Sequence, residues 1–165
     1  MFSIAVIDGQ GGGIGSLIVK RLREEFGDTV EIIALGTNSA ATAAMMKARA
    51  DRGATGENAI AVTARRVDVI AGTLSVIVAD SMMGEFTHRM AASVAASDAW
   101  KVLIPLHKEK VEVVGVLKEP LPHMVDKLVE AVKSARGRVP IDAGGCTPVD
   151  AGSRTPVDAG GRTPN

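Results

Sequence analysis

The sequence predicts an α/β fold: a three-layer sandwich with a mostly parallel sheet and an antiparallel pair of strands at one edge. Three observations lead to this prediction. Short apolar runs rich in β-branched residues alternate with amphipathic helical segments from residue 3 onward. Alanine, valine, isoleucine and glycine fill the apolar positions, which is typical of a parallel sheet covered by helices. Two late apolar runs are separated by only four polar residues, which favours an antiparallel pair.

Two strand-helix units occupy the first fifty residues. Residues 3–8 (SIAVID) predict a buried strand, and residues 14–26 predict a helix with an apolar residue at every fourth position. Residues 30–35 predict the second strand. A helix over residues 40–50 follows, capped by one of the polar residues before it. This order implies a parallel sheet with right-handed crossovers.

The middle of the chain is less regular. Residues 53–56 (GATG) indicate a break, and a short helix ending at about Arg66 follows it. Residues 67–71 predict a third strand. Residues 74–79 form another apolar run, and the two runs fit either a hairpin or a strand pair bridged by a bulge.

The next segment supplies the predicted antiparallel pair. Residues 81–96 have a helical pattern, and residues 100–106 (WKVLIPL) and 111–117 (VEVVGVL) predict strands. The connection between these strands is too short for a crossover helix, so the pair should be antiparallel. Residues 121–135 predict a last amphipathic helix.

The end of the chain has a different composition. From residue 139 an eight-residue unit repeats as VPIDAGGC, TPVDAGSR and TPVDAGGR. Each unit contains proline and glycine and has no apolar face, so it cannot bury enough surface to offset its ordering entropy. We therefore predict a Rossmann-like domain over residues 1–137 and a disordered Pro/Gly repeat tail over residues 138–165.

Composition argues against several classes of function. Lys+Arg and Asp+Glu number 19 each, so the chain has no net positive charge that would attract nucleic acid or an anionic membrane. Aromatic residues make up 2% of the chain, which leaves few platforms for stacking bases. The longest apolar stretch, residues 67–79, contains Asp68 and is too short to span a bilayer. The lone Cys146 and the lack of a leader-like N-terminus predict a cytoplasmic protein with no nucleic-acid or membrane partner.

The first strand leads into a loop that has five glycines in seven residues. Amide groups at the start of a helix, together with the positive end of the helix dipole, can hold a phosphate. Glycine lets that phosphate approach the backbone and permits a positive φ. Such a strand-loop-helix unit is typical of a Rossmann-like fold. The predicted site for a phosphorylated small molecule comprises Gly9, Gln10, Gly11, Gly12, Gly13, Ile14 and Gly15.

Polar residues after the second strand are expected to complete this site. Ligands of open α/β sheets bind outside the carboxyl ends of the strands, where neighbouring ends meet. Thr37, Asn38 and Ser39 follow the second strand and should lie beside the glycine loop. The same residues are also suited to cap the helix that they precede.

Other groups are weaker candidates. Residues 53–58 (GATGEN) form either a second anion cradle or a capped loop. Glu85 and His88 are three positions apart in a helical pattern and near enough to share a metal, but the histidines show no zinc spacing, so no metal site is predicted. Asp8, Asp80 and Glu85 are acid-base candidates if the fold brings them together.

The spacing Gly9-xxx-Gly13-Ile14-Gly15 resembles the TGxxxGIG loop of the short-chain dehydrogenases, which binds a nicotinamide dinucleotide. The resemblance implies NAD or NADP as a cofactor. Asp8 replaces the threonine of that motif, and the second strand ends without an acid for a ribose hydroxyl. The chain also has no tyrosine for that family's reaction. The resemblance therefore implies a cofactor cradle without that chemistry.

A second resemblance extends over most of the chain. Its motifs are AVIDGQGGGIG (residues 5–15), ALGTNS (34–39), RGATGENAI (52–60) and DSMMGE (80–85). Over nearly all of residues 3–117 the chain is similar to a family of short bacterial proteins known as a domain of unknown function. That family brings no established activity.

These observations predict a protein that binds a nucleotide or an NAD(P)-like dinucleotide through its glycine loop. They do not specify a reaction. One alternative is a non-catalytic sensor that uses the same pocket. Another is an interaction protein in which the loop holds a smaller phosphorylated metabolite or nothing, and in which the exposed sheet edge forms a homodimer.

Overall fold

The computed structural model describes residues 1–106 and 110–138 of the chain. Within these residues, five strands form one sheet: β1 (Ser3–Asp8), β2 (Glu31–Gly36), β3 (Arg52–Thr55), β4 (Val69–Thr73) and β5 (Trp100–Ile104). The α-helices of the same residues are α1 (Gly13–Phe26), α2 (Ser39–Lys47), α3 (Glu57–Thr63), α4 (His88–Ala95) and α5 (Leu121–Arg136). Strands and helices therefore alternate along most of the described chain, as the sequence predicts.

The sheet has the strand order β3-β2-β1-β4-β5, and all its pairs are parallel. In the centre, Ile4 of β1 is in register with Ile32 of β2 and Val69 of β4. The chain builds outward from β1 to β3 and then returns to the other side of β1 for β4. This reversal opens a crevice at the carboxyl ends of β1 and β4, where ligands of such sheets bind.

Helices cover both faces of the sheet, as the three-layer prediction requires. Alternate side chains of a strand point to opposite faces. Val6 of β1 packs in a cluster with apolar residues of α1 and α5. Its neighbour Ile7 packs in a second cluster with residues of α3 and α4. The predicted Rossmann-like three-layer sandwich is therefore confirmed.

The strand β3 is not predicted by the sequence, which indicates a break at residues 53–56. The structure instead pairs Arg52–Thr55 with β2, and Gly53 lies opposite Ala34. The strand is short, and most of its residues are exposed. No apolar pattern could reveal it, because backbone pairing with β2 defines it.

Two predictions between residues 74 and 96 are wrong. The run after β4 is neither a hairpin strand nor a bulged pair, because Leu74–Ile77 form a 3-10 turn. The helix predicted from residue 81 begins only at His88. Before it, Met82 and Met83 have left-handed backbones that no α-helix accommodates. Phe86 fits the helical pattern because it is buried in the second apolar cluster, although it lies before the helix.

The predicted antiparallel edge pair is also wrong. β5 runs parallel to β4, with Trp100 opposite Val69, because α4 carries the chain back before β5 begins. Residues 111–117 contain a turn and no strand. Gly115, at φ 85°, interrupts any extended backbone there, and the Val114 side chain is 93% exposed.

The predicted repeat tail, apart from Arg138, lies outside the described residues. Across residues 1–106 and 110–138, none of the helices is both long enough and apolar enough to cross a membrane.

Candidate functional site

The glycine loop is a tight connection between β1 and α1. The amide of Gly12 donates a hydrogen bond to the carbonyl of Gly9 at 2.9 Å, which closes the turn. Gln10 and Gly12 have left-handed backbones, with φ values of 50° and 69°. Gln10 is therefore strained, since side chains larger than glycine seldom adopt this conformation.

Three buried glycines of the loop are required by packing. A Cβ atom on Gly9 would lie 2.6 Å from the Met82 sulfur, and one on Gly15 would lie 2.6 Å from the Met45 sulfur. A Cβ atom on Gly12 would lie 2.8 Å from the Cα of Ala41. Gly12 and Gly15 therefore allow α2 to approach the loop and the start of α1, and Gly9 allows the turn after β4 to approach the loop.

The two exposed glycines of the loop have no such role. A Cβ atom on Gly11 or Gly13 would meet no atom of the described residues within 4 Å. Neither residue has a positive φ. Neither packing nor backbone conformation therefore requires glycine here, although glycine at an ordinary φ increases the entropy lost on folding.

Backbone donors remain open beside these two glycines. The amides of Gly11, Gly13 and Ile14 make no hydrogen bond with any residue that the structure describes. Helix α1, like α3 and α5, has no side-chain cap in the described chain, whereas Asn38 caps α2 and Thr87 caps α4. The open amides lie at the positive end of the α1 dipole, an arrangement suited to an anion.

Asp8 lies beneath the loop and is buried. Its carboxylate accepts hydrogen bonds from the amides of Gly9 at 2.8 Å and Gly15 at 2.6 Å. Burial raises the pKa of Asp8 above its usual value, although both amide hydrogen bonds lower it, and the charge of Glu85 adds to the rise. Both oxygens are thus engaged in holding the loop.

Glu85 lies above the loop and was not among the predicted binding residues. Its Oε2 atom accepts hydrogen bonds from the Gln10 amide at 2.8 Å, the Thr37 hydroxyl at 2.7 Å and the Asn38 side-chain amide at 3.0 Å. The hydrogen bond from Thr37 is the largest cause that lowers the pKa of Glu85. Glu85 is therefore a carboxylate at neutral pH, and the DSMMGE motif was the sequence signal for it.

An unusual turn carries Glu85 to this position. Asp80, Met82 and Met83 all have φ near 60°, and Gly84 has φ 88°. The buried Phe86 anchors the end of the turn. Strained backbone of this kind is retained where the surrounding structure holds it, and it is concentrated at functional sites.

Two of the three polar residues after β2 meet the loop. The Thr37 amide donates to the carbonyl of Asp8, and Asn38 donates to the carbonyl of Gln10. Asn38 also caps α2 by accepting from the Ala41 amide. Ser39 is exposed at the start of α2 and makes no hydrogen bond to the loop within the described residues.

Residues 53–58, the other segment considered as an anion cradle, include the end of β3 and the start of α3, where no side chain of the described residues caps the helix. Glu57 accepts hydrogen bonds from Thr87 and Arg89 near the start of α4. These contacts join α3 to α4.

The predicted acid-base trio does not share one set of contacts, because the Asp80 carboxylate pairs with His88 at 2.8 Å whereas those of Asp8 and Glu85 accept hydrogen bonds from the glycine loop. Glu85 and His88 share no helix and do not form a pair. Over the described ranges, no group of three His, Cys, Asp or Glu side chains is placed to hold a metal ion.

Comparison with known proteins identifies the family. The family model described as a domain of unknown function (DUF3842) matches residues 3–136. No curated protein matches the sequence significantly. The matched region includes β1 to α5, with the glycine loop and the turn that carries Glu85. The chain therefore belongs to the DUF3842 family, as the sequence motifs indicated.

Proposed function

We propose that this protein binds a nucleotide or dinucleotide, of the NAD(P) type, through the glycine loop between β1 and α1. The phosphate groups would accept hydrogen bonds from the open amides of Gly11, Gly13 and Ile14. The proposal concerns binding and assigns no reaction.

The observation that carries this proposal is the contrast between the two sets of glycines. Packing or a left-handed backbone accounts for Gly9, Gly12 and Gly15. Neither accounts for Gly11 and Gly13, which face open space beside amides that have no partner in the described part of the chain. A ligand that lies against the backbone accounts for both, since a side chain at either position would occupy its place.

The position of the loop supports the same proposal. It follows β1, next to the reversal of strand order between β1 and β4. Ligands of open α/β sheets bind in the crevice at this point because the loops on its two sides diverge. Thr37 and Asn38 add polar groups on the β2 side.

Calorimetric titration of the wild-type protein with NAD, NADP, ATP and ADP tests the proposal. The informative variant is Gly13→Val, which places branched carbons in a space where a Cβ meets no atom of the described residues within 4 Å. Loss of one or two phosphate contacts should weaken binding about tenfold to a hundredfold. Gly137→Val is the matched control, because a Cβ there makes only an ordinary contact far from the loop in sequence.

Two results would contradict the proposal. If the wild-type protein binds none of the four nucleotides at millimolar concentration, the site does not hold a nucleotide. If a folded Gly13→Val protein binds as tightly as the wild type, the ligand does not occupy this loop. Circular dichroism of the same samples establishes that each variant is folded.

Self-association through the β5 edge is a second candidate function. Among the described residues no strand pairs with the outer edge of β5. Val114 and Leu117, in the segment that follows, are among the most exposed large apolar residues of the described chain. Exposed apolar side chains beside an open strand edge are typical of an interface with a second copy of the same chain.

A further inference from the structure

Glu85 occupies the place of an acid that the second strand lacks. In dinucleotide-binding sheets, an acid at the end of the second strand accepts a hydrogen bond from a ribose hydroxyl. Here that strand ends at Gly36 and Thr37 follows it, so neither position carries a carboxylate. The structure nevertheless places a carboxylate against Thr37, because the turn after β4 brings Glu85 there.

We propose that Glu85 recognises the ribose of the ligand by accepting a hydrogen bond from a free 2′-hydroxyl, and that it disfavours binding of a ligand that carries a 2′-phosphate. This inference rests on the proposed function and narrows it to ligands of the NAD type over those of the NADP type.

The hydrogen bonds of Glu85 leave one of its oxygens free for this role. Three donors occupy Oε2, namely the Gln10 amide, the Thr37 hydroxyl and the Asn38 side chain. No hydrogen bond reaches Oε1 from the residues that the structure describes. A carboxylate that is already fixed through one oxygen can accept a hydrogen bond from a hydroxyl with the other oxygen at little further entropic cost.

The contact with Gln10 also places the Glu85 carboxylate next to the amides proposed to hold a phosphate. Glu85 holds the amide of Gln10, and the open amides begin at the next residue, Gly11. An acceptor for a hydroxyl therefore adjoins donors for a phosphate. A ribose and its 5′-phosphate present this same order of groups.

Charge at the site disfavours a second phosphate on the ribose. Asp8 and Glu85 are both close enough to the loop to bond its amides. Across residues 1–106 and 110–138, no lysine or arginine makes an ion pair or hydrogen bond with the glycine loop, Thr37 or Glu85. Sites that accept a 2′-phosphate provide an arginine for it.

The test compares NAD with NADP on the wild-type protein and on Glu85→Gln, by calorimetric titration. The two ligands differ only in the 2′-phosphate. The wild type should bind NAD at least about tenfold more tightly than NADP. The 2′-phosphate of NADP lacks the hydroxyl that donates to Glu85, and its negative charge repels the carboxylate. Glu85→Gln keeps the side-chain shape and should reduce that preference by about tenfold, mainly through tighter binding of NADP.

Asp80→Asn is the matched control. It removes one carboxylate from the same turn, but Asp80 pairs with His88 and does not touch the loop. Asparagine also tolerates the left-handed backbone at this position. The variant should keep the wild-type preference for NAD.

The outcomes separate this inference from the proposed function. Failure of the wild type to bind NAD and NADP rejects the inference about Glu85, and the proposed function is rejected with it only if ATP and ADP also fail to bind. Binding of both dinucleotides with equal affinity, or an unchanged preference in Glu85→Gln, rejects the role of Glu85 while keeping the site. Equal tightening of both ligands in Glu85→Gln would show that Glu85 competes with the ligand for the loop, and would also overturn the inference.

Discussion

The carboxylate of Glu85 accepts a hydrogen bond from the hydroxyl of Thr37 at 2.7 Å, across 48 positions of the chain. The contact connects the turn after β4 to the end of β2, over the top of the glycine loop. Since the same oxygen also accepts from the Gln10 amide, these three segments are held by one atom.

Replacement of Thr37 by valine should raise the pKa of Glu85 toward its usual value. The Thr37 hydrogen bond is the largest cause of the lowered pKa. A lowered pKa in the folded state means that Glu85 stabilises the fold above its usual pKa of 4.5, and that this contribution is lost as the pH falls through the folded value. As the pH is lowered, the free energy of unfolding of the variant should therefore fall by less than that of the wild type. Titration of the Glu85 side chain by NMR measures the shift, and an unchanged pKa would contradict this account.

Adjacent glycines of the loop should respond oppositely to alanine. Gly12→Ala forces a Cβ onto a left-handed backbone 2.8 Å from Ala41, so it should destabilise the protein by about 2–4 kcal/mol. Gly13→Ala lies at the first position of α1 in open space and should stabilise it by up to about 1 kcal/mol. Urea unfolding of both variants measures the difference. Equal destabilisation would show that Gly13 is also needed for folding.

Replacement of Asp8 by asparagine should change how stability depends on pH. Because burial raises the pKa of Asp8, its contribution is fully present below 3.8 and is lost as the pH rises through the folded value. Asparagine leaves one of the amides of Gly9 and Gly15 without an acceptor, at a cost of about 1–3 kcal/mol. The difference in free energy of unfolding between the wild type and the variant should be largest near pH 4 and smaller near pH 7. A deficit that grows toward neutral pH in urea unfolding would oppose this prediction.

The buried Arg23 provides a stability test far from the site. Its guanidinium lies 2.6 Å from Asp51, which also accepts from the Ile32 amide. Desolvation alone would raise the pKa of Asp51, but these hydrogen bonds outweigh it and lower the pKa. Asp51→Asn should cost about 2 kcal/mol at neutral pH, below the value for fully buried pairs because Asp51 is 41% exposed.

The acid dependence of Asp51 has the opposite sign to that of Asp8. Its contribution is present above 3.8 and is lost as the pH falls through the lowered folded value, so Asp51→Asn should flatten the stability profile there. Asp28→Asn is the control, because Asp28 touches the same arginine but is 92% exposed. It should cost less than about 0.5 kcal/mol. Equal costs for the two variants in urea unfolding would refute the distinction.

Lysine at both Val114 and Leu117 tests self-association through the β5 edge. If this face joins two copies, sedimentation of the wild type should show a dimer and the double variant should be monomeric, since two buried lysines are not tolerated at an apolar interface. Met83→Lys alters a comparably exposed side chain outside this face and should keep the dimer. A monomeric wild type at high micromolar concentration would reject this candidate.

Local patterns in the sequence determined the layered α/β fold and the glycine loop. A continuous apolar run identifies β1, which is buried on both faces, and apolar periodicity identifies α1, which buries one face. The strand-loop-helix order likewise places Gly9 to Gly15 at the end of a strand, since neighbouring residues alone define that turn. These features depend on contacts that are close in the chain.

The tertiary structure alone decided the features that join distant segments. The short polar β3 is a strand only because β2 pairs with it, and β5 runs parallel only because α4 returns the chain first. Glu85 appears in a helical pattern, yet left-handed residues before it turn the carboxylate onto Gln10, 75 positions away. Such contacts leave no local period, because their free energy comes from partners that the chain meets only after it has folded.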